Sequence, residues 1–186
     1  VPYQIVCAYA SGVGAGPLAQ PVAQAVNDVR QVTAVLGIAP IPVYAGSVDN
    51  AAAITIPVSM PVRRGWPPNV RWTPAVVYNP SFMAWIDAQG SWAALSVMAH
   101  EVGHHLDQDA TWYGRFKHPW TKELQADFVS GYVLARLGAP LEDAARAQLA
   151  MFTLTGSPTH PDTPKRLDAI EQGWLRGGGV PAFRQM

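Results

Sequence analysis

The chain has 186 residues, of which 49% are hydrophobic and 14% charged, and it holds a single cysteine. A chain of this length and composition is expected to fold as one packed domain and not as a disordered segment. Acidic and basic residues balance to a formal net charge of zero. The basic residues are scattered, so the sequence indicates neither a nucleic-acid partner nor an anionic membrane surface.

The first half of the chain predicts a helix followed by short strands. Residues 3–9 fit either a strand or coil. A helix ending at Gly37 is predicted by apolar residues at helical spacing: Val22, Val26, Val29, Val32 and Leu36. Three β-rich stretches follow, at 41–45, 53–58 and 75–78. The glycine-rich stretch SGVGAGP has Pro17 where a dinucleotide-binding fingerprint needs its third glycine, so nucleotide binding is not expected.

The chain after residue 79 predicts helices almost throughout. Asn79 and Pro80 are a typical helix start, and this helix is expected to run to Gly90. Ser91 predicts the N-cap of the next helix, and Thr121 lies near the start of another. Two more helices are predicted over 141–152 and 163–175, the second one capped by the residue at 162.

This order predicts the α+β class, with a small β-sheet and an N-terminal helix followed by a mostly helical second half. Residues 1–176 are expected to form a single domain. The glycine run at 177–179 predicts a flexible C-terminal tail over 177–186. The longest apolar run is far too short to cross a bilayer, so we expect a soluble protein without membrane insertion. The compartment stays open: the chain begins without methionine, which fits a removed signal peptide and a periplasmic or secreted protein, or a trimmed chain.

The stretch MAHEVGHHLD, residues 98–107, concentrates ionisable side chains in a chain otherwise poor in charge. His100 and His104 are four residues apart, which on a helix places both imidazoles on one face, within reach of a single zinc ion. Glu101 lies beside the first histidine and can act as a base without being a ligand. The histidines are predicted to point away from the helix's main hydrophobic stripe, formed by Trp92, Leu95, Ala99, Val102 and Leu106.

A third metal ligand must come from outside this motif. A metzincin would need glycine at 107 and histidine at 110, where the chain has Asp107 and Ala110. Cys7 lies far upstream with no local pattern around it, which argues against a thiolate ligand. The remaining candidates are His118, Glu123, Asp127 and His160.

Glu123 and Asp127 are again four residues apart on a predicted helix. One of the two carboxylates can bind the metal while the other accepts a hydrogen bond from a ligand histidine. An acidic helix N-terminus, favoured by the helix dipole, is the alternative explanation of this pair.

Three segments together resemble the M48-type gluzincin metallopeptidases: HEVGH at 100–104, ELQAD at 123–127 and THPDTPKRL at 159–167. That family shows H-E-x-x-H, E-x-x-A-D and H-P-x-x-x-x-R in the same order. The resemblance to soluble bacterial members covers most of residues 48–174. Asp162 departs from the family, which often has a second proline or a small residue there.

The resemblance implies one zinc ion per chain, with His100, His104 and Glu123 as its ligands. It implies further that Glu101 is the catalytic base and that Asp127 supports a ligand from behind. His160 is expected either to hydrogen-bond the tetrahedral oxyanion or guard the metal's open position, or merely to cap a turn.

Three other polar residues are assigned less specific roles from the sequence. Arg166 either belongs to the site or pairs with a surface acid. His105 points away from the ligand pair by helical phase, so a structural role is expected. His118 falls in an aromatic-rich loop that links the two ligand helices and either lines the cleft or packs on the surface.

The predicted function is zinc-dependent hydrolysis of peptide bonds in a peptide or protein substrate. A substrate chain is expected to pair with an exposed sheet edge, the strand at Ala75–Tyr78, by β-augmentation. Two alternatives remain open: a zinc-stabilised binding module with latent or absent peptidase activity, and a helical protein with no metal. The sequence does not define the scissile sequence or the oligomeric state.

Overall fold

The computed structural model describes residues 16–59, 70–107, 116–151 and 156–181. Its helices and strands are, in chain order, α1 (Ala23–Leu36), β1 (Val43–Ala45), β2 (Ala51–Ser59), β3 (Val70–Tyr78), α2 (Pro80–Asp87), α3 (Ala93–Leu106), α4 (Pro119–Leu137), α5 (Leu141–Met151) and α6 (Thr163–Arg176). The predicted α+β class is confirmed. The strand or coil expected at 3–9 lies outside the described residues, as do residues 182–186 of the tail expected at 177–186.

The three strands form one mixed sheet in the order β1-β3-β2. β2 pairs antiparallel with the whole of β3, from Ala51 opposite Tyr78 to Ser59 opposite Val70. β1 lies on the other side and pairs parallel with the last three residues of β3. The expectation that Ala75–Tyr78 forms an exposed edge is therefore wrong. The end of this strand has neighbours on both sides, and among the described residues the outer side of β2 is a sheet edge.

Helix α3 lies at the centre of the fold. It contacts α1, α2, α4 and α5 as well as β2 and β3, and residues 93–104 are all buried. A helix that is surrounded in this way has no solvated face, so each of its polar side chains needs a partner inside the protein. The histidines of the sequence motif are thus placed in the interior of the molecule.

Glycines let the helices around α3 approach one another closely. A Cβ atom on Gly103 would lie 2.9 Å from the Cα atom of Ala126, so α4 packs directly against the backbone of α3. A Cβ atom on Gly131 would lie 2.0 Å from the carbonyl oxygen of Ile170, so the backbones of α4 and α6 are also in direct contact. These two contacts bring α3, α4 and α6 side by side. None of the described helices is both long and apolar enough to cross a membrane.

The helix starts agree with the sequence at two positions and differ at two. Asn79 accepts hydrogen bonds from the backbone at the start of α2, and Asp162 does the same for α6. Ser91 does not cap α3, because the chain turns through residues 90–92 first and Trp92 becomes the N-cap without a side-chain bond. His118 caps α4, which begins two residues earlier than Thr121: its Nδ1 accepts from the Trp120 N–H at 3.2 Å.

Candidate metal centre

Three buried side chains from α3 and α4 direct donor atoms at one point. The Nε2 atoms of His100 and His104 lie 3.1 Å apart. Glu123 places its Oε2 atom 3.5 Å from the Nε2 of His100 and its Oε1 atom 3.7 Å from the Nε2 of His104. Among the described residues this is the one group of three or more histidine, cysteine or acidic side chains that could hold a metal ion. Tetrahedral zinc, with ligands at ~2.0–2.2 Å, keeps its donor atoms about 3.4 Å apart, so the spacing fits.

Asp127 fixes the orientation of the first histidine. Its Oδ1 atom lies 2.9 Å from the Nδ1 of His100, and both side chains are buried. Burial alone raises the pKa of the Asp127 carboxyl, but the charge and hydrogen bonds of Arg166, together with those of His100, outweigh it and hold the pKa below its ordinary value. The carboxylate is therefore ionised and accepts the hydrogen from Nδ1. The Nε2 lone pair of His100 then points at the other donor atoms.

Arg166 joins the two carboxylates of α4 from α6. Its Nε atom donates to Oδ2 of Asp127 at 2.6 Å, and its Nη2 atom donates to Oδ1 at 2.8 Å. Nη2 also lies 3.1 Å from Oε2 of Glu123. The arginine is only 1% exposed. The alternative in which Arg166 pairs with a surface acid is therefore wrong, because both of these partners are fully buried.

Glu101 follows His100 on α3 and lies against β2 of the sheet. It is buried, and the backbone N–H of Ala53 in β2 hydrogen-bonds its carboxylate. Burial raises the pKa of Glu101 above its ordinary value, although His100, this hydrogen bond and Arg166 act in the opposite direction. The contact with Ala53 uses a backbone group, which carries no signature in the sequence and was not predicted.

His160 lies in the turn that leads into α6. Its Nδ1 atom is 2.9 Å from the hydroxyl oxygen of Thr159, and its backbone N–H donates to the hydroxyl oxygen of Ser157 at 3.0 Å. The Nε2 atom is buried and has no hydrogen-bond partner among the described residues. Burial and the charges of Arg166 and His100 lower the pKa of His160, so the imidazole is neutral at pH 7. The residue thus takes part in a turn, and the charges of Arg166 and His100 act on its imidazole.

The two remaining histidines serve local structure. His105 donates from Nε2 to the carbonyl oxygen of Ala75 at 2.8 Å and ties α3 to β3, which agrees with the structural role expected for it. His118 is exposed and caps α4. A further support was not predicted: the Trp120 Nε1–H donates to the carbonyl oxygen of Ser157 at 2.8 Å and ties the His160 turn to α4.

The fold and the site together define an α+β protein with a buried two-histidine, one-glutamate centre that could hold a metal ion. Comparisons of the chain with protein-family models, with curated proteins and with solved structures each find no match. The likeness to M48-type peptidases therefore rests on the three sequence motifs alone.

Proposed function

We propose that this protein is a zinc-dependent endopeptidase of the gluzincin type, in which Glu101 is the general base for hydrolysis of a peptide bond. The observation that carries the proposal is the convergence of His100, His104 and Glu123 on one buried point, with the buried Glu101 next to His100 in the same helix. A purely structural zinc site has no use for such a base and is usually closed by four protein ligands.

The donor set suits catalytic zinc. Two imidazole nitrogens and one carboxylate are the ligands of several zinc hydrolases, and three protein ligands leave one position for water or substrate. His160 is not part of the three-residue group that the described chain brings together, which supports an open position over a fourth protein ligand. A zinc ion bound here would supply Lewis acidity, which polarises a carbonyl group and lowers the pKa of water.

Proton transfer in the reaction is assigned to Glu101. We assign it the acceptance of a proton from the attacking water and its delivery to the leaving nitrogen. The hydrogen bond from Ala53 holds the carboxylate in place, and its burial favours the protonated form that this delivery requires. Asp127 keeps His100 in the tautomer whose Nε2 lone pair can bind metal, and this is a positioning role.

His160 is assigned to the developing negative charge. A neutral imidazole that accepts at Nδ1 from the Thr159 hydroxyl carries its hydrogen on Nε2, the atom that is buried without a partner. A buried N–H that is already held in place can donate to an oxyanion with little rearrangement of its surroundings. We therefore propose that Nε2 donates to the tetrahedral oxygen during the reaction.

The substrate is a peptide or protein chain in an extended conformation. We place it along the outer edge of β2, and no longer along Ala75–Tyr78, because β2 offers backbone groups on the side away from β3. Residues 51–54 are buried and the N–H of Ala53 is bonded to Glu101, so the substrate pairs with the more accessible residues 55–58 of the same strand, next to the segment that contacts the base. A bound peptide-like inhibitor located by crystallography away from β2 would contradict this placement.

The proposal is tested by comparing the zinc-loaded protein with its Glu101→Gln variant on a diverse peptide library, with products read by mass spectrometry. The variant keeps all three ligands, so both proteins should hold one zinc ion per chain by elemental analysis. We expect cleavage by the parent and a loss of about 10²-fold or more in the variant. Zinc in both proteins without cleavage by either would favour the binding module, and absence of stoichiometric zinc would contradict the metal site itself.

A further inference from the structure

A cavity lies away from the metal centre, between α1, α2, the end of β3 and the first turn of α3. Its volume is about 190 Å³. Two carboxylates line it, from Asp28 in α1 and Asp87 in α2, and the part of the lining that the structure describes contains no lysine, arginine or histidine. The rest of the wall is largely apolar and includes Ala25, Tyr78, Met83, Ala84 and Ala94. The described lining of the cavity therefore combines a largely apolar wall with two carboxylates and no cationic side chain.

Asp28 is the buried member of this pair, with only 2% of its surface exposed. Its Oδ1 atom accepts a hydrogen bond from Nε2 of Gln24 at 2.7 Å, and the described part of the chain offers its Oδ2 atom no partner. Burial raises the pKa of this carboxyl to about 6, against the effect of Gln24 and with a further contribution from the charge of Asp87. This carboxylate is set in a largely apolar wall and has Gln24 as its one described hydrogen-bond donor, so a cation in the cavity would stabilise its charge.

The surroundings favour an organic cation over a metal ion. Calcium needs six to eight oxygen ligands, whereas the cavity offers two carboxylates, and the amide nitrogen of Gln24 is turned towards Asp28. Quaternary ammonium groups are usually held in cages of several aromatic rings, and Tyr78 is the one aromatic side chain in this lining. A primary ammonium group can instead donate hydrogen bonds to a carboxylate while its hydrocarbon chain lies against the apolar wall.

The size of the cavity sets the length of the ligand. Cavities of about 150 Å³ hold benzene, which has six non-hydrogen atoms. A cavity of about 190 Å³ accordingly fits an unbranched amine of similar size. We infer that this pocket binds a primary alkylammonium group, presented by a small aliphatic amine or by a lysine side chain, with Asp28 as its main anionic partner and Asp87 as the second.

The first test is calorimetric titration of the zinc-loaded protein with n-pentylammonium chloride at about pH 8, where Asp28 is ionised. Its matched control ligand is 1-pentanol, which has the same length and no charge. We expect saturable one-to-one binding of the amine with a dissociation constant of about 1 mM or lower, and at least tenfold weaker binding of the alcohol. Equal binding of the two ligands, or no saturable binding of the amine, would overturn the inference.

Two variants locate the site. Asp28→Asn keeps the side-chain shape and an acceptor for Gln24 but removes the charge, and should weaken amine binding at least tenfold. Ala84→Phe fills the cavity from an exposed position on α2 and should abolish binding while the carboxylates stay in place. Each variant is first checked for an unchanged circular dichroism spectrum. Unchanged amine affinity in both variants would place the amine elsewhere, for instance at the metal centre, and would refute the pocket.

A second titration separates the two sources of the ammonium group. Nα-acetyl-lysine methylamide carries the same group on a peptide backbone. Binding of both ligands, each lost in Asp28→Asn, would assign the pocket to a lysine side chain of a partner chain. Binding of n-pentylammonium alone would assign it to free amines, because the peptide backbone then fails to fit at the entrance.

Discussion

Arg166 and Asp127 form a buried pair joined by two hydrogen bonds, of 2.6 and 2.8 Å, between α6 and α4. The same carboxylate accepts from His100 on α3, so three helices meet through one acidic side chain. The arginine compensates the charges of both Asp127 and Glu123, which would otherwise be isolated in the interior. The metal centre and the packing of these helices therefore depend on the same contacts.

The first prediction concerns the removal of this compensation. Arg166→Met leaves two carboxylates buried without their cation, and we expect a loss of about 3–5 kcal/mol in the free energy of unfolding of the metal-free protein, measured by urea denaturation. Arg146→Met is the matched control, because Arg146 pairs with Asp143 at the surface and is half exposed. That variant should lose less than about 1 kcal/mol. Equal losses in the two variants would contradict the role assigned to Arg166.

The second prediction concerns metal affinity. Asp127→Asn keeps the shape of the side chain but weakens its hydrogen bond to His100, so the imidazole is less firmly held and less basic at Nε2. We expect the dissociation constant for zinc to rise about 10–100-fold, measured by competition with a chromophoric chelator. Asp143 lies at the surface and is not part of the metal centre, so Asp143→Asn should leave zinc affinity unchanged. Parent-like affinity in Asp127→Asn would show that His100 needs no such support.

The helices could be predicted from the sequence because their signals are local. Asn79 and Asp162 hydrogen-bond the backbone two to three residues further on, and Gly37 ends α1 with a φ of 66°. Ser91 carried the same kind of signal and was wrong, because the turn made by residues 90–92 delays the start of α3 to Ala93. A cap residue can be identified from local sequence, but a preceding turn can displace it.

The arrangement of the sheet could not be predicted, because pairing joins residues that are distant in sequence. Nothing in the short stretch 43–45 shows that it returns parallel to the end of β3, and this pairing turned the expected edge into a central strand. The metal centre combines both cases. The spacing of His100 and His104 is a property of one helix, whereas the contact of Glu101 with Ala53 depends on the packing of α3 against β2.

The third prediction separates catalysis from metal binding. His160→Phe removes the N–H that we assign to the oxyanion but leaves the three ligand side chains in place. We expect kcat to fall about 10²–10³-fold with little change in KM and with one zinc ion still bound per chain. His118→Ser replaces the histidine that caps α4 with another capping residue, so its kcat should equal that of the parent.

Two outcomes would contradict the role of His160 as the donor to the oxyanion. A parent-like kcat in His160→Phe would leave its imidazole with a turn-forming role alone. Loss of the zinc ion would instead make it a ligand, which would favour the latent binding module.

The last prediction concerns Asp28 and pH. The pKa of this carboxyl is raised from 3.8 to about 6 in the folded protein, mainly by burial. The folded state therefore binds the proton more tightly than the unfolded state does. The contribution of Asp28 to stability should fall as the pH rises from about 4 to about 6 and then stay level, since above that window the buried carboxylate is charged in the folded protein.

Asp28→Asn has no such charge, so its advantage over the parent should be absent near pH 4 and reach on the order of 2 kcal/mol near pH 8. Urea denaturation of both proteins across this range measures the difference. Asp87→Asn provides the matched comparison, because the charge of Asp87 raises the pKa of Asp28. Its removal should move the window to lower pH without abolishing it. A difference between Asp28→Asn and the parent that is the same at every pH would mean that Asp28 does not titrate in this window.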